Sequence, residues 1–291
     1  MLVGLGAPAY SQEFPVVAVQ VNGIELHYIE TGAGEPLILL HGGQGDYRSW
    51  AAQIAVLSDR YRVISYSRRY NFPNQNPLTG HNHSAQVEAE DLAAFVDKLH
   101  LRNVSLVGTS IGAATALTYA LRYPKNVRSM VLAEPPLHRL VSGTPRGAPL
   151  FRQFMRDIQD AARRRFDAGD DIGAMRIFVD GFAGTGRFDG LSADVRLGVM
   201  QNAGFFKAIA ASNDPYPEVS AKSLAQLHIP TLIITGERTI ELHKLVDQEL
   251  ARLLPNVQEA TIPGAGHGSP RENPQAFNEA LLAFLSSGGH R

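Results

Sequence analysis

The sequence contains no cysteine, no excess of either charge and no long apolar segment. Without cysteine, the chain has no disulfide bond, no thiolate metal site and no cysteine nucleophile. Its 27 basic and 28 acidic side chains give a formal net charge of −1. Proteins that bind nucleic acid or anionic membranes through charge carry a basic excess, so we expect neither partner. No apolar run approaches the roughly 18 residues that a bilayer-spanning helix needs, so we expect no membrane span.

The first dozen residues have some features of a secretory signal. An apolar stretch, 2–6, precedes small residues at 7–9 that could mark a cleavage point. The basic segment and most of the apolar segment of a working signal are missing, however. We therefore expect a cytoplasmic protein from the sequence as written. A periplasmic or secreted protein is expected if this stretch is the remnant of a longer signal.

Short apolar runs alternate with amphipathic segments in the first half of the chain. The pair Asn22-Gly23, between two such runs, is the strongest short-range signal of a β-hairpin. This β-α-β alternation indicates a mainly parallel sheet covered by helices. Further strands are predicted over 36–41, 62–66, 105–109 and 129–133, and helices over 50–58, 84–100 and 111–122.

The alternation stops after Glu134 and returns only near Ile229. So long an excursion between two strands, rich in helix-forming residues, predicts a helical insertion rather than a loop. Strands over 231–235 and 258–262 and helices over 240–253 and 274–285 are predicted beyond it. The insertion contains a set of large apolar side chains, namely Phe151, Phe154, Met155, Ile177, Phe178, Phe182, Met200, Phe205 and Phe206.

The segment from Gly108 to Gly112 reads Gly-Thr-Ser-Ile-Gly and matches the G-x-S-x-G nucleophile elbow. A serine on a sharp strand-to-helix turn exposes its hydroxyl above the sheet, and the crowded backbone there admits only small residues on either side. An apolar strand precedes Ser110 and a small-residue helix follows it. We therefore predict Ser110 as the nucleophile, against the alternative of a passive serine in a glycine-rich turn.

The sequence His41-Gly42-Gly43, which begins at the last residue of the apolar run 36–41, predicts an oxyanion hole. Glycine lets a backbone N–H point at a developing oxyanion, which a hydrolase needs beside its nucleophile. The expected pair of donors is the N–H of Gly43 and that of Ile111, the residue after the serine. The alternative is a plain strand-to-helix turn. We expect His41 itself to be structural.

His267 lies in a glycine-rich loop between the last predicted strand and the last predicted helix. A histidine at the end of a strand is well placed to take the proton of a serine. We predict it as the general base, against the alternative of a solvated loop histidine. His81 and His83 are close in sequence but have no further ligand at a suitable spacing, so we predict no metal site.

The order His41-Gly42-Gly43, then the elbow around Ser110, then Gly266-His267 resembles the α/β-hydrolase superfamily over nearly the whole chain. The resemblance implies a mostly parallel eight-stranded sheet with helices on both faces. It also implies a core of residues 1–134 and 228–291 and a helical cap of residues 135–227. Members with a serine nucleophile are esterases, lactonases, thioesterases, carbon–carbon bond hydrolases and some perhydrolases. Haloalkane dehalogenases and epoxide hydrolases use aspartate at the elbow, so Ser110 disfavours both.

The acid of the catalytic triad is where this chain departs from the family. The usual Gly-x-x-Asp after the seventh strand reads Gly236-Glu237-Arg238-Thr239, and threonine cannot hold an imidazolium by charge. Some members carry the acid after the sixth strand, where this chain has Glu134. We therefore predict Glu134 as the acid, with Glu237 and Glu241 as alternatives.

We expect a serine hydrolase that cleaves an apolar carboxylic ester or lactone through an acyl-enzyme, with no cofactor or metal. Phe151, Phe154 and Met155 of the insertion are predicted to bind the substrate. Two other functions stay open, namely hydrolysis of a carbon–carbon bond and a ligand receptor that keeps the fold without turnover. The physiological substrate, its stereochemistry and the oligomeric state are not predicted.

Overall fold

The computed structural model of the protein describes residues 14–287. The stretch that resembles a secretory signal lies outside these residues. Among the described helices, none is both long enough and apolar enough to cross a membrane. The strands are β1 Val17–Val21, β2 Ile24–Thr31, β3 Glu35–Leu40, β4 Tyr61–Tyr66, β5 Val104–Thr109, β6 Val127–Ala133, β7 Thr231–Gly236 and β8 Val257–Ile262.

The eight strands form one sheet in the order β1-β2-β4-β3-β5-β6-β7-β8. The contacts of β2 with β1 and with β4 are antiparallel, and all other neighbouring pairs are parallel. The predicted hairpin joins β1 to β2, where Asn22 and Gly23 both have positive φ angles of 47° and 73°. Two such residues in succession characterise the turn that matches the twist of paired strands. The prediction of a mostly parallel eight-stranded sheet is confirmed.

Helices cover both faces of this sheet. Strand β3 shows why, because its side chains alternate between two apolar layers: Leu37 and Leu39 enter one, and Ile38 and Leu40 enter the other. The helices are α1 Ala51–Leu57, α2 Ala85–Lys98, α3 Ile111–Arg122, α4 Gly147–Phe154, α5 Asp160–Asp167, α6 Asp171–Ala183, α7 Ala193–Gln201, α8 Ala203–Ala211, α9 Ala221–Ala225, α10 Glu241–Leu253, α11 Ser269–Glu272 and α12 Pro274–Ser287.

The chain between β6 and β7 contains helices α4 to α9 and no strand. A short π-helix, Met155–Gln159, joins α4 to α5. The predicted helical insertion is therefore present as secondary structure. The division into a core of residues 1–134 and 228–291 and a separate cap of residues 135–227 stays a prediction.

A buried ion pair anchors the loop that follows β3. The guanidinium of Arg68 donates to Glu88 Oε1 at 3.1 Å, and both side chains are fully buried. Arg68 also donates from its backbone N–H to His41 Nε2 and from Nε to the His41 carbonyl oxygen, both at 3.1 Å. Helix α2, which carries Glu88, is thus connected through Arg68 to the start of the His41-Gly42-Gly43 loop.

The pair remains ionised over the ordinary pH range. Burial alone would raise the pKa of the Glu88 carboxyl, but Arg68 and the neighbouring rings of His83 and His41 together outweigh this effect and lower it to about 2. A glutamate in an unfolded chain has a pKa of about 4.3. The contribution of Glu88 to stability is therefore present above that pH and is lost as the pH falls toward 2.

We expect Glu88→Gln to lower the free energy of unfolding at pH 7 by about 3–5 kcal/mol, because it leaves the Arg68 charge buried without compensation. Denaturant unfolding followed by circular dichroism measures this. Glu90 of the same helix is a matched control, since its pair with Arg122 is exposed and such pairs contribute about 0–1 kcal/mol. Equal losses for Glu88→Gln and Glu90→Gln would contradict the assignment.

Candidate active site

Ser110 occupies a strained turn between β5 and α3. Its backbone angles are φ 53° and ψ −127°, a conformation that few non-glycine residues adopt. Its backbone N–H donates to the Ala133 carbonyl oxygen at 2.8 Å. A Cβ at Gly108 would lie 2.6 Å from the Ala113 nitrogen, and one at Gly112 would lie 2.2 Å from the Leu40 oxygen. Both glycines of the motif are thus required by close packing.

His267 lies in the loop after β8, and its ring is tied to Glu134. The Nδ1 atom of His267 donates to Glu134 Oε2 at 2.6 Å. The loop is itself held by Glu272 of α11, whose Oε2 accepts the Gly266 backbone N–H at 2.8 Å. With Nδ1 engaged as a donor, Nε2 of the neutral ring is free to accept a proton. Ser110 and His267 line the same cavity.

Glu134 directly follows β6 and has a positive φ of 49°. Its Oε1 accepts the Gly236 backbone N–H at 2.7 Å, at the end of β7. Its Oε2 accepts both the His267 ring N–H and the Thr239 hydroxyl, the latter at 2.6 Å. Burial opposes the charged form of Glu134, but the hydrogen bonds from His243 and His267 outweigh it and lower its pKa. The carboxylate is therefore ionised at neutral pH.

Thr239 is a member of this network that the sequence analysis missed. It stands where the family usually has the acid, and it donates to the acid that replaces it. The Thr239–Glu134 contact connects the loop after β7 with the end of β6. The sequence signal for this contact is the combination of a threonine at the usual position of the acid and a glutamate after the sixth strand.

His243 is the second residue that sequence reasoning did not find. Its ring is fully buried one helical turn after Thr239, and its Nδ1 lies 3.3 Å from Glu134 Oε2. The centres of the His243 and His267 rings are 4.5 Å apart. Burial lowers the pKa of His243 to about 4, so the ring is neutral at pH 7. Nothing in its spacing distinguishes His243 from a core histidine in the sequence.

The ligand atoms of Glu134, His243 and His267 lie within 4.8 Å of one another. Two imidazoles and a carboxylate are a donor set that divalent transition metals accept. Here the Nδ1 atoms of both rings already point to the Glu134 carboxylate. A metal between them would have to replace the hydrogen bond that orients His267.

Gly43 and Ile111, the predicted oxyanion donors, line the cavity together with Ser110. The N–H of Ile111 is the first of helix α3 and has no acceptor within the helix. A Cβ at Gly43 would lie 2.6 Å from Phe205 Cε1, so only glycine fits beneath that ring. The His41 ring, as expected, has a structural role: its Nε2 accepts the Arg68 backbone N–H and does not face the cavity.

The three side chains predicted to bind substrate do not line this cavity. Phe154 is buried behind it and packs edge-on against His138 at 4.4 Å between ring centres, while Phe151 and Met155 border the same apolar core. Helix α4 and the π-helix that follows it therefore direct these side chains into the apolar core and not into the cavity. Other aromatic residues of the insertion form the cavity wall instead, namely Phe178, Phe182, Phe205, Phe206 and Tyr216.

Comparison with known proteins agrees with this arrangement. The sequence profile of the family described as alpha/beta hydrolase fold matches residues 35–274. A non-heme chloroperoxidase of Burkholderia pyrrocinia is 30% identical, with 94% of this chain and 100% of that protein covered. A 2-(acetamidomethylene)succinate hydrolase of Mesorhizobium japonicum is 24% identical, with 97% and 99% covered.

A solved structure resembles the fold of this chain at low sequence identity. It is a thermophilic esterase from Thermogutta terrifontis with malate bound, with a TM-score of 0.74, 22% identity, and coverage of 94% of this chain and 99% of that one. The family profile spans most of the chain, and the sheet has the expected order. The chain therefore belongs to the α/β-hydrolase superfamily and is a hydrolase.

Proposed function

We propose that this hydrolase cleaves carboxylic esters or lactones through an acyl-enzyme on Ser110. The observation that carries the proposal is the 2.6 Å contact between His267 Nδ1 and Glu134 Oε2, made beside the cavity that Ser110 lines. This contact fixes the tautomer of His267 that leaves Nε2 as a base. A serine hydroxyl becomes a nucleophile at neutral pH only with such a base within reach.

In the first half of the reaction, the Ser110 oxygen attacks the ester carbonyl and its proton passes to His267 Nε2. The positive charge that forms on the imidazole is stabilised by the Glu134 carboxylate, which stays ionised. The oxyanion of the tetrahedral intermediate is stabilised by the backbone N–H groups of Gly43 and Ile111. Collapse of the intermediate releases the alcohol, which takes the proton from His267 and leaves the acyl group on Ser110.

In the second half, water attacks the acyl-enzyme. His267 removes a proton from the water, the same two N–H groups stabilise the second oxyanion, and Ser110 regains its proton as the acid departs. A lactone follows the same steps, except that the leaving hydroxyl stays attached to the acyl chain. Apart from the substrate and water, every group in this mechanism belongs to the chain, so the proposed reaction uses no cofactor or metal.

The wall of the cavity supports an apolar substrate chain. Phe182 stacks on His267 with ring centres 5.1 Å apart. Three further wall aromatics come from helices α6 and α8, namely Phe178, Phe205 and Phe206. Because these helices supply four of the aromatic side chains that line the cavity, we propose that residues 135–227 act as a cap that selects the substrate. The 2-(acetamidomethylene)succinate hydrolase named above supports hydrolysis in general, while the choice of an ester or lactone is our proposal.

A fluorophosphonate probe should label Ser110, because it reacts with serines that a neighbouring base activates. We expect Ser110→Ala to abolish both the labelling and the hydrolysis of a 4-nitrophenyl ester, with the fold unchanged by circular dichroism. Mass spectrometry of the labelled peptide identifies the modified residue. Hydrolysis near the wild-type rate in Ser110→Ala would contradict the proposal.

The same assay separates the two other functions that the sequence leaves open. A carbon–carbon bond hydrolase would cleave a vinylogous diketone faster than any ester of similar size. A receptor would bind ligands while showing no turnover that depends on Ser110. Either result would contradict the proposal that the enzyme hydrolyses esters or lactones.

We expect Glu134→Gln to lower kcat by about 10⁴, the scale seen when the acid of a triad is neutralised. The two alternative acids serve as controls, since Glu237 accepts the Gly264 N–H and Glu241 pairs with Arg146. Replacing either by Gln should change kcat by less than about tenfold. If Glu237→Gln or Glu241→Gln causes the large loss of kcat and Glu134→Gln does not, the assignment of Glu134 is wrong.

We expect Phe182→Ala to change the preference of the enzyme among ester chain lengths, because its ring lines the cavity beside His267. One methylene is worth about 1–3 kcal/mol in such pockets. Phe151→Ala is the matched control, since that ring is also half-buried but does not line the cavity. Measuring kcat/KM over a series of 4-nitrophenyl esters tests this, and equal profiles for the two variants would contradict the role of Phe182.

A further inference from the structure

Two arginines line the apolar cavity of the candidate active site. Arg187 lies in the chain after α6, and Arg271 lies on α11, four residues after His267. The remainder of the wall is mainly aromatic and aliphatic. A guanidinium beside apolar walls exerts a stronger field than one in open water, because the walls lower the local dielectric constant.

Neither guanidinium has a partner among the described residues. Most arginines of the chain are engaged, as the pairs Arg48–Asp46 and Arg176–Asp189 illustrate. In contrast, the side chains of Arg187 and Arg271 make no hydrogen bond and no ion pair within residues 14–287. Both are exposed to solvent. Their donors are therefore available to a molecule that enters the cavity.

The two carboxylates whose charges act on Arg271, those of Glu272 and Asp46, are engaged elsewhere. Glu272 accepts the Gly266 N–H and so holds the His267 loop. Asp46 accepts from the Arg48 guanidinium at 2.7 Å and from the Asn202 amide at 3.1 Å. Among the described residues, the cavity therefore has two guanidinium groups without a partner. It has one carboxylate, that of Glu272, which already accepts a backbone N–H.

We propose that Arg271 and Arg187 bind a free carboxylate on the substrate, so that the enzyme prefers an ester or lactone that also carries an acid group. The planar guanidinium presents two parallel N–H donors that match a carboxylate. The apolar wall then holds the chain between this acid group and the scissile ester. This inference rests on the proposed hydrolysis and specifies its substrate class.

The test compares two esters of equal length that differ in one charge. Mono-4-nitrophenyl adipate ends in a carboxylate, and 4-nitrophenyl hexanoate ends in a methyl group. The wild type should have the higher kcat/KM for the adipate ester after subtraction of spontaneous hydrolysis. This preference should weaken as salt is added, because salt screens the attraction between exposed charges.

We expect Arg271→Gln and Arg187→Gln each to lower the ratio of kcat/KM for the adipate ester to that for the hexanoate ester. Together they should lower this ratio by about tenfold or more, since hydrogen bonds to charged groups are worth about 1.5–3 kcal/mol. Arg271→Lys should retain part of the preference. Arg164→Gln is the matched control, because that side chain is exposed and unpaired on α5 but does not line the cavity.

A binding measurement separates this inference from the hydrolysis on which it rests. Calorimetry on Ser110→Ala should show tighter binding of monomethyl adipate than of methyl hexanoate, and Arg271→Gln added to Ser110→Ala should remove the difference. Turnover without a preference that depends on the arginines would reject the carboxylate site and retain the hydrolase. A preference in binding that depends on the arginines, without turnover of any ester, would reject the proposed hydrolysis and retain the anion site.

Discussion

The buried carboxylate of Glu134 is the interaction on which the rest of the candidate site depends. It accepts from the backbone of Gly236, from the Thr239 hydroxyl and from the ring of His267. These donors belong to the end of β7, the loop that follows it and the loop after β8. One ionised side chain after β6 thus joins residues 236–239 and the loop after β8, both of which are far from it in sequence. Its charge is stable in the interior because several donors are directed at it.

Within the network around Glu134, the charge of His267 is the one that changes during the proposed reaction. His243 is held neutral by burial, with its pKa lowered to about 4, so it adds a dipole and no positive charge beside Glu134. When His267 takes a proton from Ser110, the imidazolium and the carboxylate form a neutral pair away from bulk water. Thr239 supports this pair from the position that other family members give to the acid itself.

A second buried pair has a comparable role on the other side of the cavity. Arg68 and Glu88 connect helix α2 to His41, which directly precedes Gly42 and Gly43. The backbone that would stabilise an oxyanion is therefore held by charged groups that do not face the cavity. The residues of this second network do not line the cavity, whose wall is mainly aromatic and aliphatic and includes two arginines.

The sequence by itself determined the strands, the helices and the match to the nucleophile-elbow motif, because strand alternation and glycine requirements are local properties. It also predicted Glu134 as the acid, through the resemblance to the superfamily. Only the tertiary structure decided which aromatics of the insertion face the cavity, since Phe151 and Phe182 look alike in sequence and differ in the direction their helices turn them. It also decided the positions of His243 and Arg271. Their environments are formed by contacts between distant segments, and a local sequence pattern contains no record of such contacts.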